Sequence, residues 1–225
     1  MQPTKSINRN TRNRRTAGVP ALRKAAGLKS DAMFPLCVDL DGTLIHTDLL
    51  HENFVSAIAA KPWLVFSLLF WLARGRAYLK ARLAGHVVLD PALLPYDERV
   101  LDYLRREKAK GRRLILATAS IRSQADAVAD HLGLFDAVLA SEPDRNLKGA
   151  AKAALLGGRF KQFSYLGNDR SDMVVWRGAQ TAGIANASTR LGRRIADEHV
   201  VEVVIPRRRG LALAVIKALR PYQWV

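Results

Sequence analysis

Pro35-Leu36-Cys37-Val38-Asp39-Leu40-Asp41-Gly42-Thr43-Leu44 is the stretch on which the fold turns. An apolar run ends there in two carboxylates at i and i+2, followed at once by Gly-Thr. Strand alternation puts Asp39 and Asp41 on the same side, and glycine lets the backbone turn away sharply after them. Two acids delivered together at the end of a buried strand repel each other and lose hydration, so they imply a bound cation or chemistry.

Working outward, apolar runs alternate with amphipathic segments. A helix carrying Val100, Leu101 and Leu104 on one face closes at Gly111, and Arg113 to Thr118 follows as a buried strand. Gln124 to Leu132 is a helix stopped by Gly133, and Ala137 to Ala140 a short strand. Helix Lys148 to Leu156 ends at Gly157-Gly158, strand Gln162 to Leu166 ends at Gly167, and strands follow near Thr181 to Ala185 and Val200 to Ile205. Strands separated by helices predict an α/β fold, a doubly wound parallel sheet. In such sheets ligands sit beyond the carboxyl ends of the strands. Asp39, Asp41, Thr118, Lys148, Asp169 and Asp172 all fall at strand exits or a helix start, so they share one address.

A chain of 225 residues that is 49% hydrophobic can bury a substantial core. Its single cysteine, Cys37, cannot form an internal disulfide and reads as a small buried apolar residue in a reducing compartment. The net charge is +16, and Lys5, Arg9, Arg12, Arg14, Arg15, Arg23, Lys24 and Lys29 all precede the first acid, Asp31. That opening segment, residues 1–32, is expected to be a disordered basic arm. It lacks the apolar region of a secretory signal, although a mitochondrial presequence shares its composition.

These motifs, in this order, resemble the haloacid dehalogenase (HAD) superfamily of phosphohydrolases. Asp39-Leu40-Asp41-Gly42-Thr43 is similar to its first motif, Thr118 to the second, Lys148 to the third and Gly167-Asn168-Asp169-Arg170-Ser171-Asp172 to the fourth. The resemblance implies a Rossmann-like core with a small helical cap. It also implies a phosphatase acting through an aspartyl-phosphate: Asp39 the nucleophile, Asp41 the general acid and base, Thr118 a hydrogen-bond donor to the phosphoryl group, and Lys148 the cation that offsets charge. Gly42, Thr43, Ala119, Ser120 and Asn168 are the expected substrate contacts, with Ser120 a rival to Thr118 and Lys152 a rival to Lys148. Mg²⁺ is the implied cofactor, held by Asp39, Asp41 through its main-chain carbonyl, Asp172 and Asp169. One position departs from the family pattern: Asn168 stands where an Asp is usual, and an amide oxygen brings no charge.

The expected organisation is a core of residues 33–46 and 97–206, a helical cap at 47–96, and a basic C-terminal segment at 207–225. Within the cap, Pro62 to Ala73 carries no charge and is too short to span a bilayer, for which about 20 residues are needed. It reads as a helix buried between cap and core, or as an interfacial one. His46, Asp48, His51 and Glu52 follow no zinc spacing, although His46 and Asp48 lie near enough to the first motif to touch substrate.

Asp41 to Glu52, Asn146 to Ala153 and Gly167-Asn168-Asp169 further resemble the HAD domain fused ahead of UbiA-type prenyltransferases, and Leu219 to Val225 resembles the start of that membrane domain. The resemblance implies a detached hydrolase domain or a split gene. Three functions follow: a Mg²⁺-dependent phosphatase acting on a phosphorylated small molecule or an isoprenoid-linked phosphate; a catalytically weak partner of a membrane prenyltransferase; and, last, a nucleic-acid binder using the basic arm. The location expected is cytoplasmic and peripheral to an anionic membrane surface.

Overall fold

The computed structural model describes residues 34–49, 67, 70–71, 73–74, 90–142 and 145–207. The expected basic arm, most of the expected cap with its apolar run, and all but the first residue of the 207–225 segment lie outside the described residues. Six strands form one sheet: β1 (Leu36–Val38), β2 (Leu114–Ile121), β3 (Ala137–Ser141), β4 (Ser164–Gly167), β5 (Thr181–Ala185) and β6 (Val201–Ile205). All pairings are parallel, in the order β3-β2-β1-β4-β5-β6. The connections carry α1 (Glu98–Ala109), α2 (Arg122–Leu132), α3 (Ala150–Arg159), the single turn α4 (Met173–Trp176) and α5 (Thr189–Glu198).

Period-two alternation divides the core into two layers. Leu36, Val38, Leu114 and Leu116 pack on one face with Val100, Leu104 and Val128 of α1 and α2. Cys37, Ile115, Ala117 and Tyr165 pack on the other with Leu156, Trp176, Leu191 and Ile195 of α3, α4 and α5. Helices therefore cover both faces, and the fold is the doubly wound α/β sheet that the pattern predicts. Strand order reverses between β1 and β4, which places the crevice at their carboxyl ends.

At the opposite edge the buried Arg112 fastens the strand starts together. Its guanidinium donates to Glu107 at 2.8 Å, Ser164 at 2.6 Å, Glu202 at 3.1 Å and the Phe34 carbonyl at 2.9 Å. A second tie sits at the head of α1, where Asp97 accepts the Arg99 N–H at 3.1 Å, the Arg99 guanidinium at 2.6 Å and the Asn186 amide at 2.9 Å.

Four elements differ from expectation, the first being the single turn α4, which the sequence pattern does not predict. The helix expected over Lys148 to Leu156 spans Ala150–Arg159 and runs through Gly157 and Gly158, ending at Phe160. Neither glycine has a positive φ, so neither terminates it; each costs about 1 kcal/mol of helix propensity, which packing of the helix on the sheet offsets. β2 extends three residues past Thr118, to Ile121. Helix α5, absent from the sequence reading, has only Leu191 and Ile195 buried and is capped by Ser188, whose Oγ accepts the Leu191 N–H at 3.3 Å.

Candidate active site

Beyond the carboxyl ends of β1 and β4 lies a cavity of about 300 Å³. Asp39, Asp41, Gly42, His46, Asp48, Ala119, Lys148, Lys152, Asn168, Asp169 and Asp172 line it, together with Thr47, Gly149 and Ser171. Asp39 leaves β1 directly, and its N–H is tied to the Leu166 carbonyl of β4 at 2.9 Å. Leu40 then turns into the core while Asp41 returns to the cavity, as alternation requires. The Leu40 carbonyl accepts the N–H groups of Thr43, Leu44 and Ile45, closing a tight loop whose reversal Gly42 permits with φ of 73°. A side chain at Gly42 would also collide with the Asn168 amide.

Asp39 is enclosed. Lys152 Nζ donates to Asp39 Oδ1 at 2.7 Å, and Thr43 Oγ1 lies at 3.4 Å from Oδ2. Burial pushes the Asp39 carboxyl up, to about 7; Lys152 opposes the rise, and the charges of Asp172 and Asp41 add to it. Lys152 loses hydration too, yet Asp39 and Asp172 outweigh that and raise its pKa, so the ammonium stays charged. Asp172 is held from both ends: Tyr165 Oη donates to Oδ1 at 2.8 Å, and the N–H groups of Asn168 and Asp169 donate to Oδ2 at 3.2 and 3.1 Å. Asp41 is oriented by the Leu49 N–H at 2.9 Å on Oδ1 and by Ser120 Oγ at 2.9 Å on Oδ2.

The cation beside Asp39 is Lys152, not Lys148. Because α3 begins at Ala150, Lys152 falls on its buried face one turn before Leu156, the other buried residue of that helix. Lys148 precedes the helix and stands exposed on the cavity rim. Thr118 is fully buried, and its Oγ1 accepts the Ser120 N–H at 3.0 Å. Thr118, Ser120 and Thr43 do not line the cavity; Ala119 does. Asp169 is exposed at the rim and accepts from Ser171 at 3.1 Å. Asp39, Asp41, Asp169 and Asp172 all line the cavity, although among the described residues no three His, Cys, Asp or Glu side chains stand close enough together to form a metal cluster by themselves.

Sequence reasoning missed Tyr165. Its signal was strand alternation, which sets it on the Cys37 face, beneath α3 and Lys152.

An all-parallel sheet with order β3-β2-β1-β4-β5-β6 and an aspartate pair at its switch point defines a doubly wound α/β fold with its ligand site at the strand carboxyl ends. The sequence pattern of the haloacid dehalogenase-like hydrolases matches residues 36–163, more than half of the chain. The chain belongs to that family. It is 34% identical over 196 residues to the uncharacterized protein y4nM of Sinorhizobium fredii, covering 86% of this chain and 38% of that protein. The chain thus spans well under half the length of that relative. Among solved structures, phosphoserine phosphatase in its apo form superposes with a TM-score of 0.53 at 14% identity, covering 84% of this chain and 99% of that one. A phospho-aspartyl intermediate analogue of phosphoserine phosphatase gives 0.52 at 14% identity, covering 83% and 99%. A Bordetella pertussis protein of unknown function gives 0.53 at 17% identity, covering 76% and 97%. These likenesses establish the shared fold. No helix among the described residues is long and apolar enough to cross a membrane.

Proposed function

We propose that this domain is a phosphomonoesterase acting through an aspartyl-phosphate on Asp39. The observation that carries the reading is the pairing of the buried Asp39 carboxylate with Lys152 at 2.7 Å on a cavity wall that also presents Asp41. An Asp39 oxygen attacks phosphorus in line, and the bond to the leaving oxygen breaks as Asp41 gives that oxygen its proton. Asp41, ionised again, then takes a proton from water; the water attacks phosphorus and releases inorganic phosphate and free Asp39. One difficult displacement is thereby divided into two easier ones. Lys152 disperses charge on the nucleophile, and Lys148 at the rim offers a second cation to the phosphoryl oxygens. Ser120 and the Leu49 N–H hold Asp41 in place.

The charge balance of the cavity favours a divalent cation. Among the described residues that line the cavity, five carboxylates (Asp39, Asp41, Asp48, Asp169 and Asp172) stand with two lysines (Lys148 and Lys152), and a phosphate monoester adds about 1.5 to 2 negative charges. The oxygen donors present suit Mg²⁺, which takes one or two carboxylates and keeps several waters. Asp39 and Asp172 would hold it, with the Asp41 main-chain carbonyl and the uncharged Asn168 amide completing the set and Asp169 outside it. Bound there, Mg²⁺ would offset charge on the phosphate and nucleophile.

Phosphate release from a panel of phosphorylated small molecules and isoprenyl phosphates, with Mg²⁺, tests the reading. Wild type should turn over at least one substrate class and Asp39→Asn none; equal rates in the two proteins would refute it.

A second reading is favoured by the Asn168 substitution and by the greater length of the y4nM relative: a catalytically weak partner domain of a membrane prenyltransferase. It requires membrane co-purification that survives Asp39→Asn.

A further inference from the structure

We propose that Tyr165 is a positioning residue of this site, its hydroxyl bonding both Lys152 and Asp172 so that Asp172 is satisfied by the phenol and the Lys152 ammonium stays on Asp39. The kinetic consequence rests on the phosphatase reading; the geometry does not. Tyr165 lies in the middle of the sheet, paired with Cys37 of β1 and Ala182 of β5. It is fully buried, and its ring packs edge-on against Trp176 with centroids 5.9 Å apart. Phenylalanine would satisfy that packing equally, so the ring does not explain the hydroxyl.

The hydroxyl accepts from Lys152 Nζ at 3.0 Å and donates to Asp172 Oδ1 at 2.8 Å. Lys152 is 2.7 Å from Asp39 and 4.0 Å from Asp172, so one ammonium stands between two carboxylates and is hydrogen-bonded to only one of them. In a site shielded from water both attractions are strong, and a small displacement would exchange partners. The phenol bonds both ends of that path: its O–H occupies Asp172 Oδ1 in the lysine's place, and its oxygen holds the ammonium from the side. An ordinary phenol holds its proton at neutral pH, so the hydroxyl has it to donate to Asp172. Without the hydroxyl, Lys152 can close on Asp172. Asp39 then loses its cation, and Asp172 is neutralised where a metal ion would need its charge. Second-layer groups of this kind tune the ligands they touch.

The test compares wild type, Tyr165→Phe, Lys152→Met and the double variant. Mn²⁺ binding is read by the electron paramagnetic resonance of free Mn²⁺, and kcat and KM are read for wild type and Tyr165→Phe. Tyr165→Phe should keep a wild-type melting temperature and a KM within about twofold, while losing roughly tenfold in kcat and in Mn²⁺ affinity. In the Lys152→Met background the same Tyr→Phe change should alter Mn²⁺ affinity by less than about twofold, because the lysine it restrains is gone. Equal losses in both backgrounds, wild-type behaviour of Tyr165→Phe, or its failure to fold would each overturn the proposal. Should wild type release no phosphate, the phosphatase reading fails, and the Mn²⁺ cycle alone decides the role of Tyr165.

Discussion

Lys152 and Asp39 form a buried pair whose members are unequal: the lysine cannot shed its charge readily, whereas the carboxyl, pushed up to about 7, can take a proton. Removing the lysine should therefore cost less stability than the roughly 3–5 kcal/mol typical of a broken buried pair, because Asp39 neutralises instead. Lys152→Met should lose about 10²-fold or more in kcat, and Lys148→Met should mainly raise KM a few-fold, since Lys148 is exposed at the rim. Steady-state kinetics of the two variants check this, and the reverse ranking would return the central role to Lys148. Gly42→Ala faces two separate penalties, a positive φ and collision with Asn168, and should destabilise the domain by about 2 kcal/mol or abolish turnover by displacing the Asn168 amide. Chemical denaturation together with kinetics reads both. At this scale the sequence was legible where a residue's role follows from chain direction. Asp39 and Asp41 follow from alternation, whereas the choice between Lys148 and Lys152 depends on where a helix begins, which propensity sets only to within a few residues.

Polar side chains at the ends of several elements tie them to their neighbours, and these ties locate the elements that carry the site. Asp97 is the clearest: its pKa is lowered from 3.8 to about 2, with burial opposing and bonds from Arg99 and Asn186 prevailing. A depressed carboxyl contributes stability that is present above the unfolded pKa and lost as pH falls through the folded one. That contribution should fade between pH near 4 and pH near 2, and it is on the order of 1 kcal/mol after allowance for the solvent reaching Arg99. Urea unfolding across that window should show Asp97→Asn flatter with pH than wild type; parallel curves would deny the tie its role. At the other edge, Arg112→Met leaves Glu107 and Glu202 without their shared buried partner and should destabilise the domain by roughly 3 kcal/mol, measured by the same titration. The strands were readable as short apolar runs bounded by turn residues. Helix α5 was not, because two buried residues in ten make a narrow stripe and Gly192 interrupts it.

Across the whole molecule, the doubly wound sheet brings residues more than a hundred positions apart, Asp39 and Lys152, within 2.7 Å of each other at the point where strand order reverses. The fold was legible because alternating helices and strands leave few permitted topologies. The location of the site followed from it, but its inner wiring did not: the hydroxyl of Tyr165 between Lys152 and Asp172 arises from long-range packing with no local pattern.

Acid-quenched mass spectrometry of the Asp39 peptide during turnover of a phosphomonoester tests the central claim most directly. The account predicts a phosphoryl group on Asp39 that accumulates in Asp41→Asn, whose hydrolytic step should slow by about 10²-fold or more. Phosphate release with Asp39 never labelled, or with the label on another residue, would contradict it.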